Sequence, residues 1–267
     1  MKHFLAICDK LKKVLAGKTI FLFLDYDGTL APLVDRPGRA FLTKKTKRLL
    51  INLAKNRNCK VAIVSGRRIK DIKKRVRIKK IIYVGNHGLE IYGPKIKFEA
   101  KIHPKFPATL SSIKEELNKK LSKVDGAFVE DKGLTLSLHY RCVNERDIPD
   151  VKTIFHETVS THLAGDKIKV KAGKMVFEVR PPITWDKGKA ILWLLARQQF
   201  ANKNRKALPF YFGDDTTDED AFRALRKRGI TVFVGSSGES HAEYYLKSTQ
   251  EVARALKQIL KYCSTIE

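Results

Sequence analysis

One short stretch, residues 21–30, places the strongest limits on the fold of this chain. It begins with four apolar residues, 21–24, which predict a short buried strand. Gly28 follows almost at once and predicts a tight turn. Asp25 and Asp27 therefore lie at the carboxyl end of that strand, where open α/β sheets bind their ligands.

Two carboxylates separated by one residue suit a hard cation such as Mg²⁺, which prefers oxygen ligands. A cation beside them also makes one carboxylate a usable nucleophile toward phosphorus. The alternative is that Asp25 and Asp27 only form side-chain turns that cap the strand. The remainder of the chain decides between the two interpretations.

The same pattern, an apolar run followed by glycine and polar residues, recurs along the chain and predicts four more strands, at residues 61–64, 81–84, 209–212 and 231–234. Helices are predicted between them, with Thr43 as the N-cap of the first. This alternation predicts a parallel sheet with right-handed crossovers, and hence an α/β fold.

The pattern changes in the middle of the chain. Residues 101–107 contain two prolines and predict a linker, and a helix is predicted over residues 110–121. Two segments that follow alternate strictly between apolar and polar residues, which is typical of strands with one solvated face. The predicted polar face contains Thr135, Ser137, His139, Arg141, Glu178 and Arg180. We therefore predict an α+β domain at residues 105–182, inserted between two parts of the parallel domain at 1–104 and 183–267.

The net charge is +26, from 54 Lys and Arg against 28 Asp and Glu, so nucleic acid has to be considered as a partner. The basic residues are spread along the chain and few aromatic residues lie among them, so we interpret most of them as solvated faces. We do not expect nucleic-acid binding. A basic binding or regulatory protein on the same fold is the second hypothesis.

The four cysteines are far apart and fit a reducing compartment, so a cytoplasmic location is expected. Near the amino end, Phe4, Ile7, Leu11 and Val14 recur at helical spacing, which predicts a surface helix and not a signal peptide. No uninterrupted apolar run is long enough to span a membrane, so no membrane partner is expected.

Polar side chains follow four of the predicted strands, and in a parallel sheet they converge on one edge. They are Asp25 and Asp27, Ser65 and Arg67, Asn86 and His87, and Asp214, Asp215 and Asp218. At that edge, Asp214 and its neighbours can complete the oxygen shell of a Mg²⁺ held by Asp25. Ser65 can donate to a phosphoryl oxygen, and a lysine from the helix at Asp186 can neutralise both nucleophile and phosphate.

In this order, these parts resemble the haloacid dehalogenase superfamily of phosphatases. The resemblance rests on D-x-D-G-T at residues 25–29, Ser65 after the second strand, Lys187, and G-D-D-x-x-D at residues 213–218. It covers essentially the whole chain and implies a Rossmann-like core with an inserted α+β cap domain, because the middle segment lies where that superfamily inserts a large cap.

The resemblance also implies roles. Asp25 would be the nucleophile that forms an aspartyl-phosphate, and Asp27 the general acid that protonates the leaving alcohol and then activates water. Phosphate ligands would be Ser65, Gly66 and Lys187. The implied Mg²⁺ ligands are Asp25, the carbonyl of Asp27, and Asp214, with support from Asp215 or Asp218.

Longer motifs resemble the trehalose-6-phosphate phosphatase family. They are S-G-R at 65–67, G-N-H-G at 85–88, E-D-K-G-L-T-L-S-L-H-Y-R at 130–141, F-E-V-R-P at 177–181 and G-D-D-x-T-D-E-D-A-F at 213–222. This resemblance implies a Mg²⁺-dependent phosphatase whose substrate is a small sugar phosphate, trehalose 6-phosphate, which it hydrolyses to trehalose and phosphate, with sugar ligands at Glu130, Lys132, Arg141 and Glu178. Phosphatases of sucrose 6-phosphate and of glucosyl- or mannosyl-3-phosphoglycerate are the alternatives.

Several assignments stay open at this stage. Ser65 is either a phosphate ligand or a helix N-cap. Arg67 is either a substrate ligand or a solvated helix residue, and Glu178 is either a sugar ligand or half of an ion pair with Arg180 or Arg141. We expect His87 to be a structural turn residue, Lys132 to act from the loop before its strand, and the chain to be a monomer.

Overall fold

A computed structural model describes residues 1–8, 18–34, 38, 40–201, 207–236 and 238–264. Its strands are β1 Lys2–His3, β2 Thr19–Asp25, β3 Cys59–Val64, β4 Ile82–Gly85, β5 Glu90–Gly93, β6 Ile96–Glu99, β7 Phe128–Asp131, β8 Leu136–His139, β9 Lys169–Gly173, β10 Val176–Arg180, β11 Ala207–Gly213, β12 Ile230–Val234 and β13 Tyr244–Leu246. Its α-helices are α1 Lys44–Lys55, α2 Ile69–Val76, α3 Phe106–Lys120, α4 Ile148–Ala164, α5 Lys187–Ala201, α6 Glu219–Leu225 and α7 Thr249–Ser264.

The described residues form two compact units, Met1–Glu99 with Trp185–Glu267, and Ala100–Thr184. The first contains, within the described part of the chain, a nine-stranded sheet in the order β1-β13-β12-β11-β2-β3-β4-β5-β6. Neighbouring strands from β1 to β4 in this order are parallel, and β5 and β6 are antiparallel. This arrangement confirms the predicted parallel sheet.

The central strand β2 shows why an apolar run predicts a buried strand. All of its residues are buried, and alternate side chains pack into two different hydrophobic clusters. Ile20, Leu22 and Leu24 face the cluster that contains residues of α1, α2 and α7. Phe21 and Phe23 face the cluster that contains residues of α5 and α6. Because helices cover both faces, no position in the run favours a polar side chain.

The order of the strands also positions a crevice. β2 and β11 are parallel neighbours, with Leu24 opposite Phe212. After β2 the chain continues to β3 on one side of this pair, and after β11 it continues to β12 on the other side. Connections that leave in opposite directions open a crevice at the carboxyl ends of the two strands. Asp25 ends β2, and Asp214 directly follows β11.

The second unit is a four-stranded antiparallel sheet in the order β7-β8-β10-β9, with α3 and α4 against its apolar face. The predicted linker is wrong at its end, because α3 already begins at Phe106. Pro107 lies in the first turn of that helix, where a missing N–H costs no hydrogen bond.

Three further expectations have outcomes here. The Thr43 N-cap is confirmed, since its side chain accepts a hydrogen bond from the Thr46 N–H. Of the predicted amino-terminal helix, residues 4–7 form a 3₁₀ turn, whereas Leu11 and Val14 lie outside the described residues. None of the helices that the structure describes combines the length and the apolar character needed to cross a membrane.

Candidate active site

The loop after β2 brings its backbone close to Asp214. Gly28 has a φ of +84°, and its N–H donates to the Ala31 carbonyl over 2.7 Å. A Cβ at this position would lie 2.1 Å from Oδ2 of Asp214, so only glycine fits the approach. Thr29 Oγ1 donates to Asp214 Oδ1 over 3.4 Å. The loop that follows Asp25 and contains Asp27 therefore also positions Asp214, which follows β11.

Three carboxylates and one lysine meet at this edge. Ligand oxygens of Asp25, Asp214 and Asp218 all lie within 4.8 Å of one another, close enough to share one cation. Lys187, the first residue of α5, places its Nζ 2.8 Å from Asp25 Oδ1 and 2.7 Å from Asp218 Oδ1. All four side chains are buried. The convergence predicted for the strand ends is thus present for these residues.

The electrostatics of this cluster favour a further positive charge. Burial raises the pKa of Asp25 well above its usual value, and Asp218 and Asp214 raise it further, although Lys187 opposes them. Burial alone would lower the pKa of Lys187, but Asp218 and Asp25 hold it above its usual value. Lys187 is therefore a cation at neutral pH, and one ammonium faces three carboxylates. A divalent cation among these oxygens would remove much of the repulsion that acts on Asp25.

Asp218 is held by hydrogen bonds on both of its oxygens. Oδ1 accepts from Lys187 Nζ and from the Tyr211 hydroxyl. Oδ2 accepts from the backbone N–H groups of Asp214 and Asp215, each over 3.0 Å. Because its lone pairs already have donors, Asp218 orders Lys187 and the loop after β11. This favours a supporting role for Asp218 over direct coordination.

Two other predicted metal residues lie outside the carboxylate cluster. Asp215 is partly exposed, and its side chain accepts from Thr216 Oγ1 over 3.4 Å. The Asp27 carboxylate points to Arg67: Arg67 Nε donates to Oδ2 over 2.7 Å and Nη2 donates to Oδ1 over 2.6 Å. A role for the Asp27 carbonyl as a metal ligand stays a prediction.

The loop after β3 is ordered by local hydrogen bonds. Ser65 is buried, and its Oγ accepts from the Arg67 N–H over 3.1 Å. Since α2 begins at Ile69 with Arg68 at the N-cap, the interpretation of Ser65 as a helix N-cap is wrong. A Cβ on Gly66 would lie 2.3 Å from Nε2 of His87. His87 occupies a turn with a φ of 56°, in line with the structural role expected for it.

Arg67 is not the solvated helix residue that one interpretation allowed, because only 7% of its surface is exposed. Its Nη1 donates to Asp71 Oδ2 over 2.9 Å, in addition to its two bonds to Asp27. The sequence also missed Asp71 and Tyr211. Tyr211 lies within an apolar strand, where the only signal was a hydroxyl among phenylalanines, and Asp71 lies in a helix dominated by lysine and arginine.

In the second unit, a polar cluster surrounds Glu178. Its Oε1 accepts from Lys132 Nζ over 3.2 Å, from Thr135 Oγ1 over 3.4 Å and from Ser137 Oγ over 3.5 Å. Its Oε2 accepts from Arg180. The prediction of a solvated face is wrong here, because Thr135, Ser137 and Glu178 are buried and satisfy one another. The ion pair of Glu178 with Arg180, left open by the sequence, is present.

Lys132 reaches this cluster because it follows a separate strand. Residues 130–141 do not form one strand: β7 ends at Asp131, and a turn with Gly133 at φ +78° leads to β8. Lys132 therefore lies in a loop before β8, and it shares the parity of Glu130 on β7. Glu130 lies opposite Ser137 in the register, and its Oε2 is 2.9 Å from Nε2 of His139.

Arg141 is not placed with the other three predicted sugar ligands. β8 ends at His139, so the alternation that assigned Arg141 to the polar face does not extend to it. Arg141 lies in the following turn, and its Nη2 donates to the Lys174 carbonyl over 3.0 Å.

Comparisons with known proteins agree on one family. A family model described as trehalose-phosphatase matches residues 23–250. The probable trehalose-phosphate phosphatase H of Arabidopsis thaliana is 37% identical over 262 residues, which cover 92% of this chain and 73% of that protein. The probable trehalose-phosphate phosphatase D of the same plant is 34% identical over 270 residues, and the match covers 97% of this chain and 72% of that protein.

Solved structures share the fold. The C-terminal domain of trehalose-6-phosphate phosphatase from C. albicans superposes with a TM-score of 0.82 at 24% identity, covering 97% of both chains. A haloacid dehalogenase-like hydrolase from Bacteroides thetaiotaomicron superposes with a TM-score of 0.64 at 16% identity, covering 91% of this chain and 100% of that one. The α/β core with an inserted α+β unit is therefore a haloacid dehalogenase-like fold.

Proposed function

Because this chain belongs to the trehalose-phosphatase family, a family of phosphoric monoester hydrolases, we propose that it hydrolyses trehalose 6-phosphate to trehalose and inorganic phosphate. The observation that carries the proposal is the meeting of Asp25, Asp214 and Lys187 at the carboxyl ends of β2 and β11. This edge offers a carboxylate nucleophile, oxygen ligands for a cation and an ammonium for a phosphoryl oxygen.

The carboxylates at this edge fit Mg²⁺, whose preferred ligands are oxygens. Asp25 and Asp214 would hold the ion, since the oxygens of Asp218 already have donors. Bound there, Mg²⁺ would neutralise charge on the transferring phosphoryl group. The raised pKa of Asp25 supports this assignment, because a nearby cation stabilises the ionised carboxylate that the reaction needs.

The protein's own residues would act in two steps. In the first, an oxygen of Asp25 bonds to phosphorus, the bond from phosphorus to the sugar oxygen breaks, and Asp27 gives its proton to that oxygen. In the second, Asp27 takes a proton from water, the water oxygen bonds to phosphorus, and the bond from phosphorus to Asp25 breaks. Lys187 contacts Asp25 Oδ1 directly, so its ammonium favours the ionised nucleophile and would hold a phosphoryl oxygen beside it.

The sugar would be recognised by the polar cluster around Glu178. Carboxylate and ammonium groups suit sugar hydroxyls, because each hydroxyl both donates and accepts hydrogen bonds. Within the cluster, Glu178 and Glu130 would accept from the sugar and Lys132 would donate to it. Lys132 and Glu178 contact each other and Glu130 contacts His139, so these side chains are already ordered and little side-chain entropy is lost on binding.

Replacement of Glu178 by Gln tests this assignment. We expect kcat/KM for trehalose 6-phosphate to fall about 10- to 100-fold, because a charged acceptor is lost, and kcat/KM for p-nitrophenyl phosphate to change less than about threefold. Glu116→Gln is a matched control, since Glu116 forms an exposed ion pair with Lys120, and it should change neither value. Equal losses on both substrates would remove Glu178 from sugar recognition.

The function itself is tested by phosphate release from a panel of substrates, with Mg²⁺ and with a chelator. The panel contains trehalose 6-phosphate, sucrose 6-phosphate, glucosyl-3-phosphoglycerate, glucose 6-phosphate and p-nitrophenyl phosphate. We expect a strong preference for trehalose 6-phosphate that chelation abolishes. A preference for another member of the panel would overturn the assignment of trehalose 6-phosphate as the substrate. Activity that persists in the presence of the chelator would overturn the proposed dependence on Mg²⁺.

A further inference from the structure

The guanidinium of Arg67 faces carboxylates on two sides. On one side it donates to both oxygens of Asp27, over 2.7 and 2.6 Å. On the other side, Nη1 donates to Asp71 over 2.9 Å. The Asp27 side chain keeps 34% of its surface exposed, whereas Arg67 keeps 8%. Arg67 therefore holds both oxygens of the Asp27 carboxyl group, while part of the Asp27 side chain stays accessible to a substrate or to water.

A second layer holds Arg67 in turn. Asp71 also accepts from Nε of Arg75, with both of its oxygens at 2.9 Å. Arg75 Nη1 donates to the carbonyls of Ala40, over 3.0 Å, and Gly38, over 3.2 Å. These contacts link Asp27 in the loop after β2 to Arg67 in the loop after β3. Arg67 is linked in turn to Asp71 and Arg75 on α2, and Arg75 to Ala40 in the segment before α1.

We propose that Arg67 is a positioning residue that holds the Asp27 carboxyl group in the orientation required for proton transfer, with Asp71 and Arg75 holding Arg67. This inference rests on the proposed function, in which Asp27 passes a proton to the leaving oxygen and takes one from water. It reassigns Arg67, which the sequence placed among the substrate ligands, to an indirect role.

Charge and geometry both support the reassignment. Each nitrogen of the Arg67 guanidinium donates to a carboxyl oxygen, Nε and Nη2 to Asp27 and Nη1 to Asp71, so the group already has partners without a phosphate. The planar guanidinium binds a carboxylate through two parallel bonds, which fixes its rotation as a single ammonium cannot. The Arg67 backbone is fixed as well, since its N–H donates to Ser65 Oγ and its carbonyl accepts from the Asn86 N–H.

The leaving group decides how much this positioning matters. Phenolate is a poor leaving group and needs a proton as the ester bond breaks, whereas p-nitrophenolate leaves without one. General acid–base catalysis contributes about 10²- to 10⁴-fold, so a misplaced Asp27 loses part of this factor on phenyl phosphate and little on p-nitrophenyl phosphate. Neither substrate contains a sugar, so the comparison does not depend on the identity of the natural substrate.

The test compares kcat/KM for the two aryl phosphates in the wild type, Arg67→Lys, Asp27→Asn and Arg68→Lys. Arg67→Lys keeps the charge and removes the two-bond geometry. We expect it to lower kcat/KM for phenyl phosphate about 10- to 100-fold and for p-nitrophenyl phosphate less than about threefold. Arg68→Lys is the matched control, because Arg68 is the adjacent residue and is exposed, and it should change neither value.

Two results would overturn the inference. Equal losses on both substrates would show a general defect, and a rise in KM alone would return Arg67 to phosphate binding. A double-mutant cycle on phenyl phosphate gives a second readout: with Asn at position 27, Arg67→Lys should cause no further loss, whereas a substrate ligand would lose the same factor in both backgrounds. If Asp27→Asn lowers kcat/KM equally for both substrates, the proposed proton transfer from Asp27 is wrong. If Asp27→Asn shows the expected difference between the substrates and Arg67→Lys does not, only the role of Arg67 is wrong.

Discussion

Asp25→Asn should abolish turnover and, in the presence of a chelator, make the folded protein more stable. Activity should fall by about 10⁴-fold or more, because the amide is not a nucleophile toward phosphorus and no other group replaces it. The fold should be unchanged, since Asn has the same shape and its Oδ1 can still accept from Lys187.

The gain in stability follows from the raised pKa of Asp25. Burial and the nearby Asp218 and Asp214 disfavour its ionised form in the folded state. An acid whose pKa rises on folding destabilises the fold at pH values above its folded pKa, and the penalty disappears once the pH is below the unfolded value, near 4. At pH 8 the Asn variant should therefore melt at a higher temperature than the wild type, and the difference should vanish toward pH 4.

Thermal melts of both proteins with a chelator, over this range of pH, give the measurement. Asp150→Asn is the control, since Asp150 is exposed on α4 and should alter neither turnover nor melting temperature. A wild type that is more stable than the Asn variant at pH 8 would show that Lys187 outweighs the repulsion. Residual turnover near the wild-type level would remove Asp25 as the nucleophile.

Asp218→Ala should be among the most destabilising single changes in the parallel unit. It removes the acceptor of the Lys187 ammonium, the Tyr211 hydroxyl and two backbone N–H groups, all within hydrogen-bond distance of its oxygens. Breaking a buried ion pair by deleting one partner costs about 3–5 kcal/mol, because the remaining charge stays buried. The free energy of unfolding from urea titration should fall by about this amount.

Asp220→Ala provides the matched control. Asp220 lies two residues further along, at the start of α6, and pairs with Arg223, which is 50% exposed. An exposed pair of this kind contributes less than about 1 kcal/mol, so the control should stay close to the wild type. A loss below about 1 kcal/mol for Asp218→Ala would show that water replaces the missing acceptor, and would weaken the supporting role assigned to it.

The five strands that the sequence predicted from apolar runs share a physical property: almost all of their predicted residues are buried. The run at β2 is apolar throughout because helices cover both sides of it. The hairpin of β5 and β6 escaped prediction because its strands have four residues each and mix exposed with buried positions. Such strands are stabilised by pairing at the edge of the sheet, and pairing partners leave little trace in a local pattern.

The same distinction applies to the site. Asp25 and Asp214 could be predicted because the ends of parallel strands converge, whereas Lys187 was predicted from the helix that follows Asp186 and from the family resemblance. Two supporting residues could not be predicted: Tyr211, which donates to Asp218, lies in an apolar strand, and Asp71, which accepts from Arg67, lies in a basic helix. The polar face around Glu178 was expected to be solvated, because alternation reports which side chains share a face and not what covers them.

The most direct test of the central claim is to identify the residue that carries the phosphoryl group. The protein would be mixed with Mg²⁺ and excess trehalose 6-phosphate, quenched in acid during turnover, digested and examined by mass spectrometry. We predict one phosphorylated peptide, which contains Asp25, and none in Asp25→Asn. Turnover with the phosphoryl group on another residue, or on none, would contradict the assignment of Asp25 as the group that attacks the sugar phosphate.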